Sequence, residues 1–220
     1  MMKPLAVNTL AEIIDGELTT DCDADITSVA IDSRSVTAGD CFFAIKGVNF
    51  DGHDFVKASF DLGAVCAVVE KEVNDAAGVC LKVDNTIAAL GRVAGWYRNQ
   101  VGFKVVGITG SVGKTTTREI IAHVLGRHVR CHQSPRSYNN NIGLPLTLLS
   151  APDDAEVVVA ELGSNHPGEI LELTAIAKPN IAVVTNVSPA HLEGFGSLEN
   201  IIKEKVSIRQ GLIQSGTFFI

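Results

Sequence analysis

Apolar residues in the second half of the chain fall into short dense runs separated by stretches of helical period. Residues 105–109, 156–161 and 181–185 are dominated by β-branched and apolar side chains, as in strands buried on both faces, and 129–132 makes a shorter run. Between them, residues 116–125, 143–149 and 168–177 read as helices. This alternation predicts a mostly parallel sheet with helices on both faces. The first part is more mixed. It predicts a short helix over 9–15 capped by Asn8 or Thr9, an alternating strand over 26–32 and a second strand over 41–45. A helix led in by Asp51-Gly52-His53 and ending near residue 62 follows, then strands over 64–69 and 79–83. A helical stretch over 86–99 gathers Ile87, Leu90, Val93, Ala94 and Tyr97 near one face, so the domain boundary falls at Asp84 or Asn85. The predicted fold class is α/β. A small mixed α/β amino-terminal domain, 1–84, precedes a P-loop-type, mostly parallel sheet domain, 85–220.

Composition narrows the classes. With 220 residues and 46% hydrophobic content the chain can bury one full core or two smaller ones. A formal net charge of −7 argues against broad nucleic-acid or anionic-membrane binding, so a phosphate ligand needs a local site. Cys22, Cys41, Cys66, Cys80 and Cys131 are scattered and odd in number, which suits reduced thiols better than a disulfide framework or a zinc site. No run reaches the length of a membrane span and no long apolar leader opens the chain, so the expected location is cytoplasmic.

The chemistry centres on VVGITGSVGKTTT, residues 105–117. A buried strand turns at Gly110-Ser111-Val112-Gly113-Lys114-Thr115 into a helix, and Thr116 continues it. Glycines let backbone N–H groups converge on phosphate oxygens, a lysine supplies charge for the outer phosphates, and a threonine hydroxyl can hold Mg²⁺. The helix adds its positive end. The usual P-loop would place glycine at position 108, where Ile108 stands, so this is a contracted form. A tight strand-to-helix turn is the plain alternative, and Gly-Lys-Thr-Thr in this place favours phosphate.

Ligands in such sheets gather at the carboxyl ends of the strands, where Glu161 ends one run and Asn186 and His191 follow another. Read alone, Glu161 caps a turn and His191 is a surface histidine; their coincidence with Lys114 at one predicted edge favours a Mg²⁺-nucleotide site. In the first domain Asp32-Ser33-Arg34, Lys46-Gly47 and His53 crowd the ends of one short strand. Spacing alone favours a turn at Asp32 and Ser33 and a helix cap at His53.

GITGSVGKTTT, SYNNNIGLPLTLL, VVVAELGSNHPGEI and TNVSPAHLEGFGS, in that order, resemble the Mur ligase family, and DSRSVTAGDCFFAIKGVNFDGHDF resembles the nucleotide-sugar domain of the two members that add the third residue and the terminal dipeptide. AHLEGFGS is more similar to the dipeptide-adding branch. The resemblance implies ATP-driven amide ligation in peptidoglycan precursor synthesis. Its substrates would be UDP-N-acetylmuramoyl-tripeptide and D-alanyl-D-alanine, joined by a monomer through an acyl phosphate. It implies that residues 110–116 hold ATP, that Thr115, Glu161 and His191 serve magnesium, and that Asn139 and Asn140 orient phosphates or the reacting carboxylate, although an Asn-rich turn before a helix stays open. Ser33, Arg34, Lys46 and His53 would contact the uridine diphosphate end. In a predicted helix over 198–211, Lys203 and Lys205 read as a solvated face, but EKVSI matches the family block whose lysine is carbamoylated, implying a second magnesium ligand at Lys205. The family continues into a third domain, so this chain is expected to be a fragment that does not complete ligation alone. A third-residue ligase and a nucleotide-binding module without ligase activity are the competing expectations.

Overall fold

The computed structural model describes residues 2–74, 76–135, 137–189 and 192–220. They form two compact units, Met1–Trp96 and Tyr97–Ile220.

In the first unit β1 (Leu5–Ala6) leads directly into α1 (Val7–Ile14), followed by β2 (Glu17–Leu18), β3 (Asp25–Ile26), β4 (Ser28–Ala30), β5 (Asp40–Phe43), α2 (Val56–Asp61), β6 (Cys66–Val69) and β7 (Val79–Lys82). β1 and β3 pair by themselves, and the main sheet runs β2-β7-β6-β5-β4, antiparallel only at β2 and β7. The strand expected over 26–32 is therefore two strands in two sheets. The expected cap of the first helix also moves: Ala6 occupies that position, with no side-chain hydrogen bond. Every residue of β5 and β6 is buried, as befits strands with a neighbour on each side. Val36, Phe42, Ala44, Val56, Ala67, Val69 and Cys80 form the core on one face. Each large apolar side chain so buried contributes roughly 1.5–3 kcal/mol.

The division between the units falls inside α3 (Thr86–Val101) rather than before it, at the Asp84 or Asn85 expected from the helical pattern. The second unit continues with β8 (Lys104–Thr109), α4 (Lys114–Leu125), β9 (Cys131–Gln133), α5 (Gly143–Leu149), β10 (Val157–Glu161), α6 (Glu169–Ala177), β11 (Ile181–Val184), α7 (Leu192–Phe195), α8 (Leu198–Val206), a 3-10 turn at Ser207–Gly211 and β12 (Thr217–Phe219). Its sheet runs β12-β11-β8-β10-β9, parallel throughout. Val106, Ile108 and Val159 on one face pack with Ala122 of α4. Gly107 faces the other way, where an added Cβ would lie 3.4 to 3.5 Å from Leu162, Pro179 and Ile208. The chain leaves β8 for the edge, returns to β10 and then crosses to β11 on the other side of β8. That reversal places a crevice at the carboxyl end of β8.

Candidate active site

The turn from β8 into α4 is built by backbone geometry and locked by the end of β11. Gly110 and Gly113 have φ of 143° and 84°, conformations that side chains with a Cβ rarely adopt. The Ser111 N–H donates to Asn186 O (3.1 Å), the Val112 N–H to Asn186 Oδ1 (3.0 Å), and the Thr185 hydroxyl to Val112 O (2.6 Å). Ser111 Oγ both donates to and accepts from the Ser188 backbone at 3.0 Å. This revises the expectation that the whole loop offers its N–H groups to phosphate. Those of Ser111 and Val112 hold the loop's shape, and the N–H groups left open to an anion include those of the first turn of α4, which have no acceptor within the helix. Thr117 is the residue whose N–H returns to Gly113 O, so Lys114, Thr115 and Thr116 form the open turn, with Thr115 and Thr116 exposed. Lys114 Nζ lies over the loop, 2.7 Å from Gly110 O. Burial lowers its pKa, and the nearby Glu161 charge opposes that shift.

Glu161 ends β10 opposite Ile108 of β8, so it reaches the same sheet edge as Lys114. It is 1% exposed, and neither carboxylate oxygen has a hydrogen-bond partner among the described residues. Arg118 Nη1 stands 3.1 Å from Glu161 Oε1, near enough for an ion pair though not aligned as a hydrogen bond. A buried anion with unclaimed lone pairs beside a phosphate-type turn suits a hard cation such as Mg²⁺, which is bound by one or two carboxylates plus phosphate oxygens. No group of three or more His, Cys, Asp or Glu that could hold a metal occurs among the described residues. His191 lies outside the described residues.

Beside this turn a cavity of about 290 Å³ is lined by Lys114, Asn139, Asn140, Asn141, Gly163, Ser164, Asn165, Glu169, Glu172 and Leu173. The two expected asparagines divide the work. Asn140 Oδ1 accepts from the N–H groups of Ile142 and Gly143, forming an Asn turn that leads into α5, the turn role left open above. Asn139 packs flat on Gly163, where an added Cβ would meet its Cγ at 2.8 Å. Lys203 is a solvated lysine paired with Glu199 at 2.7 Å. Lys205 is the opposite case: 3% exposed, it donates to Ser164 Oγ at 2.7 Å and lies 5.7 Å from the centre of the Phe195 ring. Burial, then the Lys114 charge, push its pKa down to about 8, against the pull of Glu204 and Glu169. Such an amine is neutral more often than an exposed lysine, the form that reacts with carbon dioxide.

Sequence reasoning missed Arg118, Ser164 and Glu204. Arg118 had a signal, one helical turn after Lys114 on a predicted helix. Glu204 had none; it accepts from the N–H groups of Gly168 and Ile170, tying α8 to the start of α6 across a long sequence gap.

In the first unit a cavity of about 460 Å³ is lined by Ile31, Asp32, Ser33, Arg34, Phe42, Ile45, Phe50, Gly52 and Phe55. Arg34, its side chain 87% exposed, forks onto both oxygens of Asp32 at 2.9 and 2.7 Å, holding that carboxyl down at about 2. Ser33 and Arg34 line this cavity, whereas Lys46 is exposed in a bridge to Asp51 and does not. His53 is corrected to a scaffold role. It is buried, Nε2 accepts the Glu70 N–H at 2.8 Å, and Nδ1 lies 2.6 Å from Asp51 Oδ1, so both ring nitrogens are used inside the fold.

Residues 108–220 match the Mur ligase middle domain, and residues 25–96 match the domain described as Mur ligase family, catalytic domain. The chain is 37% identical over 214 residues to UDP-N-acetylmuramoyl-tripeptide--D-alanyl-D-alanine ligase of Bacillus subtilis, covering 96% of this chain and 47% of that protein. The Escherichia coli protein of the same name is 39% identical over 98% of this chain and 47% of its own. The crystal structure of MurF from Acinetobacter baumannii superposes with a TM-score of 0.93 at 33% identity, over 99% of this chain and 49% of that one. MurF ligase from Thermotoga maritima, solved in complex with ADP, gives 0.81 at 34% identity over 88% of this chain and 45% of its own. The chain spans about half the length of the curated relatives it matches. No helix among the described residues is long and apolar enough to cross a membrane. Turn, sheet order and matched domains agree: the chain belongs to the Mur ligase family.

Proposed function

We propose that the chain carries the nucleotide and precursor sites of an ATP-dependent amide ligase that joins D-alanyl-D-alanine to UDP-N-acetylmuramoyl-tripeptide in the cytoplasm. The observation that carries this is the meeting of Lys114 with Glu161 at the carboxyl ends of adjacent parallel strands, beside a polar cavity. The Thermotoga relative was solved in complex with ADP, which supports nucleotide binding by this chain. The N–H groups opening α4 and the Lys114 ammonium bind the phosphates. Thr115 and Glu161 would hold Mg²⁺, with His191 and a carbamoylated Lys205 as further ligands; the metal supplies charge neutralisation between phosphate oxygens.

A carboxylate is a poor electrophile, so the tripeptide carboxylate oxygen takes the γ-phosphoryl group and ADP leaves. The dipeptide amine then attacks the acyl carbon, loses a proton, and inorganic phosphate departs as the amide forms. Lys114 stabilises charge on the transferred group, and Asn139 on the cavity wall orients the reacting carboxylate. In the first unit Ser33, Arg34 and the aromatic wall of Phe50 and Phe55 receive the uridine diphosphate end, the guanidinium suiting phosphate. Calorimetry with ADP and Mg²⁺ tests the nucleotide site: Lys114→Met is expected to weaken binding at least about tenfold. Unchanged affinity overturns the assignment, and phosphate release that needs no precursor overturns the ligase reading.

A further inference from the structure

Glu161 is a buried carboxylate flanked by cations supplied from one helix. Lys114 and Arg118 stand four residues apart on α4, one turn from each other and on one face. Lys114 reaches the phosphate turn, and Arg118, itself buried, reaches back to Glu161 Oε1 at 3.1 Å. The same guanidinium has a second anion in range: its Nη2 is 3.2 Å from Oε1 of Glu119, which lies toward solvent. Within the buried part of the site Glu161 therefore faces two positive groups, because Glu119, its side chain 62% exposed, is screened by water.

We propose that Arg118 is a positioning residue that closes Glu161 to a divalent cation arriving alone and leaves it open to one arriving with a polyphosphate. The inference rests on the reading of Glu161 as a metal ligand. A bare divalent cation would enter a desolvated pocket already holding Lys114 and Arg118, where like charges repel strongly because little water screens them. A nucleotide brings several negative charges to Lys114 and the start of α4, which reverses the sign of the field the metal meets. The ion pair is near yet unaligned, so Glu161 keeps its lone pairs, and Glu119 gives the guanidinium a place to hold when Glu161 turns to the metal. Arginine suits this task because its charge is permanent and its several N–H groups can serve two carboxylates at once. The nucleotide, rather than free metal concentration, then sets when the site fills.

Mn²⁺ binding and thermal melting of the 220-residue chain, with and without ADP, test this. The wild-type chain is expected to bind Mn²⁺ with ADP and to show no melting shift with Mn²⁺ alone. In Arg118→Gln, Mn²⁺ alone is expected to bind at least about tenfold tighter than in the wild-type chain, because a repelling charge is gone. It is also expected to raise the melting temperature, because the cation replaces the lost partner of a buried carboxylate. Arg118→Lys, which keeps the charge but not the fork, should still bind no Mn²⁺ without ADP. If Arg118→Gln folds only when Mn²⁺ is added, that recovery supports the proposal; folding and melting indifferent to Mn²⁺ overturn it. Glu161→Gln separates the two levels. Weakened Mn²⁺ binding in the presence of ADP upholds Glu161 as a ligand, so an unresponsive Arg118→Gln then overturns the role of Arg118 alone. Unweakened binding removes Glu161 from the metal site, and the proposal with it.

Discussion

His53 shows how a residue that looks like a ligand contact becomes part of the frame. Its Nε2 accepts a backbone N–H, so the ring carries its hydrogen on Nδ1 and donates it to Asp51. Asp51 also accepts from the His53 N–H and from Lys71 Nζ. The lysine contact, then the two His53 contacts, hold the Asp51 carboxyl well below its usual range, and Asp51 in turn raises the Lys71 pKa. The sign follows for each partner. A depressed carboxyl pKa contributes stability that is present above the unfolded value of 3.8 and lost as pH falls through the folded one. A raised lysine pKa contributes stability present below 10.5 and lost as pH rises past the folded value. Asp51→Asn is thus expected to lower the urea midpoint at pH 7, with the gap to wild type closing as pH falls below the ordinary carboxylate range. A gap that stays constant from neutral to acid pH would show that packing, not ionisation, carries the Asp51 contribution. None of this was legible in the string Asp-Gly-His, because the donor to Nε2 comes from residue 70, at the far end of the next helix and strand.

The β8 turn is the element most readable from sequence, since strand, glycine pair, lysine, threonine and helix follow one another without interruption. What could not be read was the clamp from β11, because pairing of β8 with β11 depends on strand order rather than on local pattern. That clamp makes Gly110 doubly constrained: its φ is 143°, and an added Cβ would lie 2.1 Å from Thr185 Oγ1. Gly110→Ala is expected to destabilise the chain by roughly 1–3 kcal/mol and to weaken ADP binding, because the turn must shift from the donors of α4. Adding Thr185→Ala removes the close contact but not the backbone strain, so it should restore only part of the loss in a denaturant titration. Full recovery in the double variant would assign the whole effect to the side-chain clash. The Arg118–Glu161 pair was illegible for the same reason as the clamp, since it needs β10 to lie beside β8.

At the scale of the molecule, the alternation of apolar runs with helical stretches was enough to predict the parallel sheet of the second unit, whereas the dividing point was misplaced because α3 is continuous through it. Charge supplies the remaining argument. A chain with net −7 takes anionic ligands only where local cations and N–H groups are gathered, and the proposed function puts one such place in each unit. In the second unit the place is the start of α4 with Lys114; in the first it is the cavity bearing Arg34. Each is held by contacts inside its own unit, the β11 clamp for one and the Asp32 fork for the other. Hydrogen exchange should therefore resolve the ligands. Mg²⁺-ADP is expected to slow amide exchange over 110–117 and 185–188, by ordering the turn and its clamp together, and to leave 31–34 unchanged. UDP is expected to protect 31–34 and 50–55 and to leave the turn unchanged. Protection of 110–117 by UDP alone would place the uridine diphosphate end in the nucleotide turn, removing the assignment of the first-unit cavity while leaving the phosphate chemistry of Lys114 in force.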